Sequence, residues 1–235
     1  MELLVVITII TMLALLSATV AFNVITAAKQ ARIKTEVGTL AQAIEKFKIE
    51  YGSYPPMLQD RDAVQRFVER AFPDARPGEL PPSLDATQSL VYWLQGFSPD
   101  KLYPFSGSNK VKLFEFDETR LRGNLGEQKY FPPGQELPYV YFQAGYYESA
   151  QYSESGAGTL RPYKRERTAS DPAGDPQPYA NHDSFQIISA GLDDQYGTTP
   201  NAGLFPKGPY DNGDGAGNDN IVNFNDKNTL GDSKP

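Results

Sequence analysis

The sequence contains no cysteine. Disulfides, thiolate metal sites and cysteine nucleophiles are therefore excluded. Histidine is almost as scarce, since His182 is the only one and stands beside Asp183 and close to Ser184. Neighbouring residues of an extended segment point in different directions, and the sequence has no nucleophile elbow, zinc motif or phosphate-binding loop. We therefore interpret His182 as part of a polar turn and predict that the chain is not an enzyme.

Basic residues are also fewer than acidic residues. The chain has 22 Lys and Arg against 29 Asp and Glu, which gives a net charge of -7 and a pI near 4.8. Phosphate binding needs a basic surface, so this balance argues against nucleic acid as a partner. An acidic chain rich in Asp, Asn and Gly is better suited to hard cations, which prefer oxygen ligands.

Charge is absent altogether from Leu3 to Ala28, directly after Glu2. This stretch exceeds the roughly 20 residues that a helix needs to cross a bilayer. A cleaved secretory signal has a basic start and a shorter apolar run, and neither is found here. The sequence therefore predicts that residues 1–28 form a transmembrane or filament-core helix.

A helical stripe continues beyond this stretch. Its apolar positions recur in steps of three and four: Ile33, Val37, Leu40, Ala41, Ile44, Phe47 and Tyr51. Gly38 is expected to weaken or bend the helix locally. Gly52 and the pair Pro55-Pro56 are typical of a helix end. We predict an amphipathic stalk helix and turn over residues 29–56, here named the stalk segment.

Two motifs in these segments carry a family resemblance. Glu2-Leu3-Leu4-Val5-Val6-Ile7-Thr8-Ile9-Ile10 resembles the N-terminal methylation motif of type IV pilins and type II secretion pseudopilins. Tyr51-Gly52-Ser53-Tyr54-Pro55 is similar to the Gly-x-Tyr-Pro turn of major pseudopilins. The resemblance implies an α+β, pilin-like fold, in which a long N-terminal hydrophobic helix packs on a small antiparallel β-sheet beside an extended, loop-rich globular domain. The family's leader peptide, with its Gly and aromatic residue, is expected upstream of Met1.

The resemblance also implies a role for Glu2. In the family, the matching glutamate pairs with the N-terminal amine of a neighbouring subunit and sets the register of assembly. The alternative is that Glu2 only caps a helix N-terminus at the level of the lipid headgroups.

A location follows from the same resemblance: the bacterial inner membrane, crossed once, with the C-terminal domain in the periplasm. The basic residues Lys29, Arg32 and Lys34 just after the apolar stretch would instead place that domain in the cytoplasm by the positive-inside rule. The expected leader would supply the cytoplasmic positive charge, so we favour the periplasm.

The implied function is that of a structural subunit of a type II secretion pseudopilus, which assembles from the inner membrane to drive protein export. Its partners would be further copies of the chain, other pseudopilins, the inner-membrane assembly platform and the prepilin peptidase. Two alternatives stay open. One is a type IV pilin for adhesion, motility or DNA uptake, and the other is a membrane-anchored calcium-binding protein or enzyme.

The remaining residues, 57–235, are predicted to form the globular domain. Helical spacing predicts helices over Arg61–Phe72 and Asp85–Phe97. Four short runs predict strands: Val111–Phe116, Tyr139–Phe142, Phe185–Ser189 and Ile221–Phe224. Residues 147–180 are polar and without a period, which indicates a long surface excursion. Residues 57–180 hold a central insertion that the resemblance does not cover.

An acidic loop follows near the C-terminus. Ser189-Ala190-Gly191-Leu192-Asp193, with Asp219-Asn220-Ile221 before the last strand, resembles the calcium loop of major pseudopilins. The resemblance implies calcium as a cofactor, bound by the carboxylates of Asp193 and Asp219 and the carbonyl of Leu192. Asp194, Asp211 and Asp214 are further candidates. The alternative is ordinary turn chemistry, since Asp, Asn and Gly all favour turns.

Overall fold

In the computed structural model, the described residues are 2–172, 174–197, 203–210 and 215–234, without the side chains of residues 2 and 14–20. The first helix, α1, covers Glu2–Tyr51 and passes through Gly38 without a break. It ends where Gly52 adopts a φ of +79° and donates its N–H to the carbonyl of Lys48 at 2.8 Å. This is the C-terminal glycine predicted from the sequence.

The two ends of α1 differ in their surroundings. The predicted stripe packs into the domain, with Ile33, Val37, Leu40, Ile44 and Phe47 all at most 1% exposed. The side chains of residues 3–13 and 21–29 are exposed. Among the described side chains of α1, only those of the amphipathic part therefore contribute to the core.

The predicted fold class is wrong on this point. The prediction placed one long hydrophobic helix against the sheet. The described side chains of α1 instead fall into two stretches: residues 3–13, which are apolar and exposed, and residues 21–51, which include the amphipathic part. The residues of α1 that pack on the sheet belong to the amphipathic second stretch. The fold is better described as mixed helix and sheet, with small antiparallel sheets.

Within the described residues, no helix is both long enough and apolar enough to cross a membrane. The span predicted over residues 1–28 includes residues 14–20, whose side chains lie outside that description.

Two shorter helices pack around the C-terminal end of α1. Helix α2 (Arg61–Ala71) begins at Asp60, whose carboxylate accepts the N–H of Ala63. Helix α3 (Ala86–Leu94) begins with a capping box between Asp85 and Gln88. Aromatic rings join the three helices, with Phe47 of α1 5.6 Å from Phe67 and 5.7 Å from Trp93 between ring centroids. Both helices confirm the sequence prediction with slightly shorter bounds.

Within the described ranges, the strands form three separate sheets. They are β1 (Leu121–Arg122), β2 (Lys129–Tyr130), β3 (Val140–Gln143), β4 (Tyr152–Glu154), β5 (Gly158–Leu160), β6 (Phe185–Ser189) and β7 (Ile221–Val222). The central sheet has the order β3-β6-β7 and is antiparallel throughout. Its buried residues pack against α1 on one side, and α3 contacts β3. The loops that leave β6 and enter β7 therefore meet at one end of this sheet.

The strand predictions are confirmed in part. Strand β6 has the predicted bounds, and β3 and β7 lie at the predicted positions. The strand predicted over Val111–Phe116 is wrong, since only an isolated bridge joins Val111 to Phe97. The segment 147–180, predicted as a long surface excursion, contains the β4–β5 hairpin and buries Tyr152, Leu160 and Tyr163 in the core, so that prediction is wrong for this part.

Candidate metal centre

The turn after β6 meets the entry to β7 at Gly191. A Cβ built on this residue would lie 2.4 Å from the carboxyl carbon of Asp219, and its φ is +76°. Glycine is the residue that accepts this conformation and leaves room for the carboxyl group. The sequence therefore brings the Asp219 side chain directly against the backbone of the turn.

Asp219 binds that backbone through one of its oxygens. Its Oδ2 accepts the N–H of Leu192 at 2.6 Å and the N–H of Asp193 at 3.2 Å. Its Oδ1 is buried and has no hydrogen-bond partner among the described residues. A buried carboxylate oxygen without a partner is costly, so this atom is suited to a cation or a proton.

The carboxyl group of Asp193 adjoins that of Asp219. Asp193 is exposed as a residue, but the dehydration of its carboxyl group and the charge of Asp219 raise its pKa to about 7. Burial also raises the pKa of Asp219, although the two backbone N–H groups partly offset this effect. Two charged carboxylates in contact repel each other, which costs free energy, and a bound cation removes that repulsion.

Asp194 faces another part of the chain. Its Oδ1 accepts the N–H groups of Glu136 and Leu137 at 2.9 and 3.1 Å. Its backbone is left-handed, with a φ of +53°, which Asp tolerates better than most residues. One oxygen of this predicted ligand is thus engaged in fixing the turn to the segment before β3.

The structure brings together three of the predicted site residues, Leu192, Asp193 and Asp219. Asp211 and Asp214 lie outside the described residues, and so does the side chain of Glu2. Nowhere in the described ranges, this turn included, do three or more His, Asp or Glu side chains converge as metal ligands do.

The donor set at this turn fits calcium better than zinc. Calcium takes six to eight oxygen ligands from carboxylates, carbonyls and water, whereas zinc prefers Cys and His. Asp193 and Asp219 would hold the ion, with backbone carbonyls of the turn and water completing the shell. The ion would supply the positive charge that these two carboxylates lack in the protein.

A second polar cluster was not predicted from the sequence. Glu36 of α1 is half-buried and accepts hydrogen bonds from Arg120, Tyr130 and Tyr139. The sequence did contain an indication of this cluster. Glu36 lies three residues after Ile33 and four before Leu40, which places it on the apolar face of the helix. An acidic residue on that face needs a partner in the domain.

Comparison with family models, with curated proteins and with solved structures finds no match to this chain. The resemblance to pseudopilins therefore stays a hypothesis, which rests on the motifs at residues 2–10, 51–55, 189–193 and 219–221.

Proposed function

We propose that the chain is a non-enzymatic structural subunit of a type II secretion pseudopilus. The observation that carries this proposal is the exposed apolar surface of α1. Leu3 and Leu4 are 76% and 73% exposed, and Phe22 is 72% exposed, although all three are large hydrophobic side chains.

The exposed apolar stretches at residues 3–13 and 21–28 are each unfavourable in water. Burying apolar area contributes about 25 cal/mol per Å², and a helix that is apolar on all sides is normally buried. Contiguous exposed patches of this kind mark sites of interaction with proteins or lipids. Copies of the same helix can cover one another, and this is the arrangement that the resemblance to pseudopilins implies.

The partners and the location follow from the same resemblance. The subunit would reside in the bacterial inner membrane before assembly, with its C-terminal domain in the periplasm. It would meet the prepilin peptidase, the assembly platform and other pseudopilins there. Glu2 would pair with the N-terminal amine of a neighbouring subunit, which supplies the partner that a carboxylate in apolar surroundings needs.

Calcium would stabilise the folded C-terminal turn. Two observations support this part of the proposal: Asp219 Oδ1 has no hydrogen-bond partner among the described residues, and the carboxyl groups of Asp219 and Asp193 adjoin each other. Because the cation binds the folded turn and not the unfolded chain, it would raise the free energy of unfolding by mass action.

The absence of cysteine permits a direct test of assembly. A doubly substituted chain, Leu3→Cys with Leu13→Cys, places one thiol at each end of an exposed apolar stretch. Staggered parallel copies should bring the two thiols of different subunits together, and oxidation in membranes of the native host should give a ladder of multimers. A chain carrying Leu102→Cys with Leu125→Cys is the matched control, because it also has two thiols and both residues are apolar and exposed (46% and 92%) but lie outside α1.

A ladder from the variant with both thiols in α1 alone supports assembly through α1. Monomers alone, or equal ladders from both variants, reject it. Loss of protein export on deletion of the gene supports a secretion pseudopilus. A ladder with unchanged export would instead favour the type IV pilin alternative.

Calcium is tested separately by the melting temperature of the full-length protein in detergent micelles. Addition of a chelator should lower the melting temperature, and Asp193→Asn should abolish that response. A chelator-insensitive wild-type protein would reject the calcium proposal and leave the assembly proposal standing.

A further inference from the structure

A cavity of about 520 Å³ lies in the central insertion, away from α1 and from the metal centre. Its volume falls within the usual range for ligand sites. It is lined by Gln95, Lys110, Lys112, Phe116, Glu118, Leu121, Leu125 and Gln128. The cavity therefore combines apolar side chains with amide and charged groups.

The apolar side of the cavity is accessible. Phe116 is buried in the wall and Leu121 is half-buried, whereas Leu125 is 92% exposed at the rim. A fully exposed leucine beside an apolar wall gains contact area when an apolar group enters. The cavity is thus suited to an apolar side chain.

Lys110 adds a positive charge, which Glu79 attracts from beyond ion-pair distance. Its ammonium group is half-buried and lies 5.4 Å from the ring centroid of Tyr92, and among the described residues it has no hydrogen bond or ion pair. Burial lowers its pKa, although the charge of Glu79 offsets part of this effect. Lys112 is more exposed and pairs only with the exposed Glu115 at 3.2 Å. Glu118 is the single acidic residue of the lining, while Glu79 attracts Lys110 and Glu115 pairs with Lys112. An anion would therefore gain mainly from Lys110, which forms no ion pair among the described residues.

Two amide groups complete the site. Gln95 Nε2 donates to Gln128 Oε1 at 2.9 Å, which fixes both half-buried side chains. Within the described part of the chain, Gln95 Oε1 and Gln128 Nε2 are left as one free acceptor and one free donor. This pair matches the N–H and C=O of a peptide unit.

We propose that this cavity binds an extended peptide segment that carries a carboxylate beside an apolar side chain. The apolar side chain packs on Phe116 and Leu125, the carboxylate pairs with Lys110, and the peptide backbone binds the two glutamines. The proposal does not depend on assembly through α1 or on calcium. It assigns a recognition role to the part of the chain that the resemblance to pseudopilins leaves unexplained.

The test uses the full-length protein in detergent micelles and a fluorescent form of the peptide acetyl-Gly-Leu-Glu-Leu-Gly-amide, with anisotropy as the readout. We expect saturable binding above the micelle blank, and about tenfold weaker binding when the glutamate of the peptide is replaced by glutamine. Lys110→Gln should weaken binding of the glutamate peptide by a similar factor. Lys101→Gln, which changes an exposed lysine outside the cavity, should leave it unchanged.

Leu125→Ser is a second cavity variant, which keeps the test informative if Lys110→Gln does not fold. Its side chain is 92% exposed, so the change should weaken binding severalfold without altering the melting temperature. Absence of saturable binding, equal affinity for the glutamate and glutamine peptides, or no effect of either cavity variant would overturn the proposal. Competition by 4-methylpentanoate as strong as that by the unlabelled peptide would also overturn it, because the cavity would then recognise a small carboxylate.

Discussion

Glu36 and Arg120 form a two-pronged ion pair between α1 and the domain. Arg120 Nη1 lies 2.7 Å from Glu36 Oε2, and Arg120 Nη2 lies 2.5 Å from Glu36 Oε1. The hydroxyl groups of Tyr130 and Tyr139 donate to the same carboxylate at 2.8 and 2.6 Å. The Glu36 side chain is only 14% exposed, so this pair differs from an ordinary surface salt bridge.

Glu36→Gln should therefore destabilise the protein. The change keeps the shape of the side chain but removes the charge that receives four hydrogen bonds, and we expect a loss of about 2 to 3 kcal/mol in the free energy of unfolding. Chemical denaturation measures this loss. Glu115→Gln is the control, because its side chain is 80% exposed in its pair with Lys112 and should change stability little. Equal losses in the two variants would contradict the importance of the buried pair.

The same carboxylate should make stability depend on pH. Burial raises the pKa of Glu36, but the hydrogen bonds from Arg120, Tyr139 and Tyr130 outweigh it, and the net pKa lies below the ordinary value of 4.5. A carboxyl group with a depressed folded pKa stabilises the protein fully above its unfolded pKa, and this contribution is lost as the pH falls through the folded pKa. The free energy of unfolding of the wild-type protein should thus fall below about pH 4.5 more steeply than that of Glu36→Gln. Parallel curves for the two proteins would show that another group dominates.

The sequence contained enough information to predict the buried face of α1. Ile33, Leu40 and Phe47 recur at helical spacing, and this local pattern is all that a helix face requires. The partner of Glu36 could not be predicted in this way, because Arg120 lies 84 residues away along the chain. No local pattern connects two residues at that separation, so only the structure could pair them.

The wrong strand at residues 111–116 has a similar cause. Alternating apolar residues there fit a strand, but a strand also needs a neighbour with free backbone groups. The rings of Phe114 and Phe116 pack instead against each other and against Tyr130, with 4.8 Å between the centroids of Phe116 and Tyr130. The apolar side chains of this segment therefore pack against other rings and do not belong to a sheet.

The geometry of the candidate metal centre could be predicted in part. Asp193 and Asp219 flank β6 and β7, which pair with each other, so a motif at two strand ends was enough to bring them together. The contact of Asp194 with the backbone of Glu136 spans 58 residues and falls in a loop. Turn chemistry gave no indication of it, because one carboxylate can bind either an ion or a distant backbone.

Asp194→Ala should show whether the Asp194 carboxylate binds the ion or only the backbone N–H groups of Glu136 and Leu137. The change leaves the N–H groups of Glu136 and Leu137 without an acceptor, and it puts alanine in a left-handed conformation. We expect a loss of about 2 kcal/mol in the free energy of unfolding, both with calcium and with chelator. The shift in melting temperature on addition of calcium should persist. Loss of that shift would instead make Asp194 a ligand.

Gly191→Ala should act on the metal centre itself, and Gly156→Ala is its matched control. The two glycines have similar φ angles, +76° and +81°, so both alanine variants carry a strain of roughly 1 to 2 kcal/mol. A Cβ at residue 156 meets nothing within 4 Å, whereas one at residue 191 lies 2.4 Å from the carboxyl group of Asp219. Melting curves with calcium and with chelator should show a modest loss and an unchanged calcium response for Gly156→Ala. Gly191→Ala should lose more stability and most of its calcium response, because Asp219 must leave the backbone of the turn. If the two variants behave alike, the close approach of Asp219 to Gly191 has no part in holding the ion.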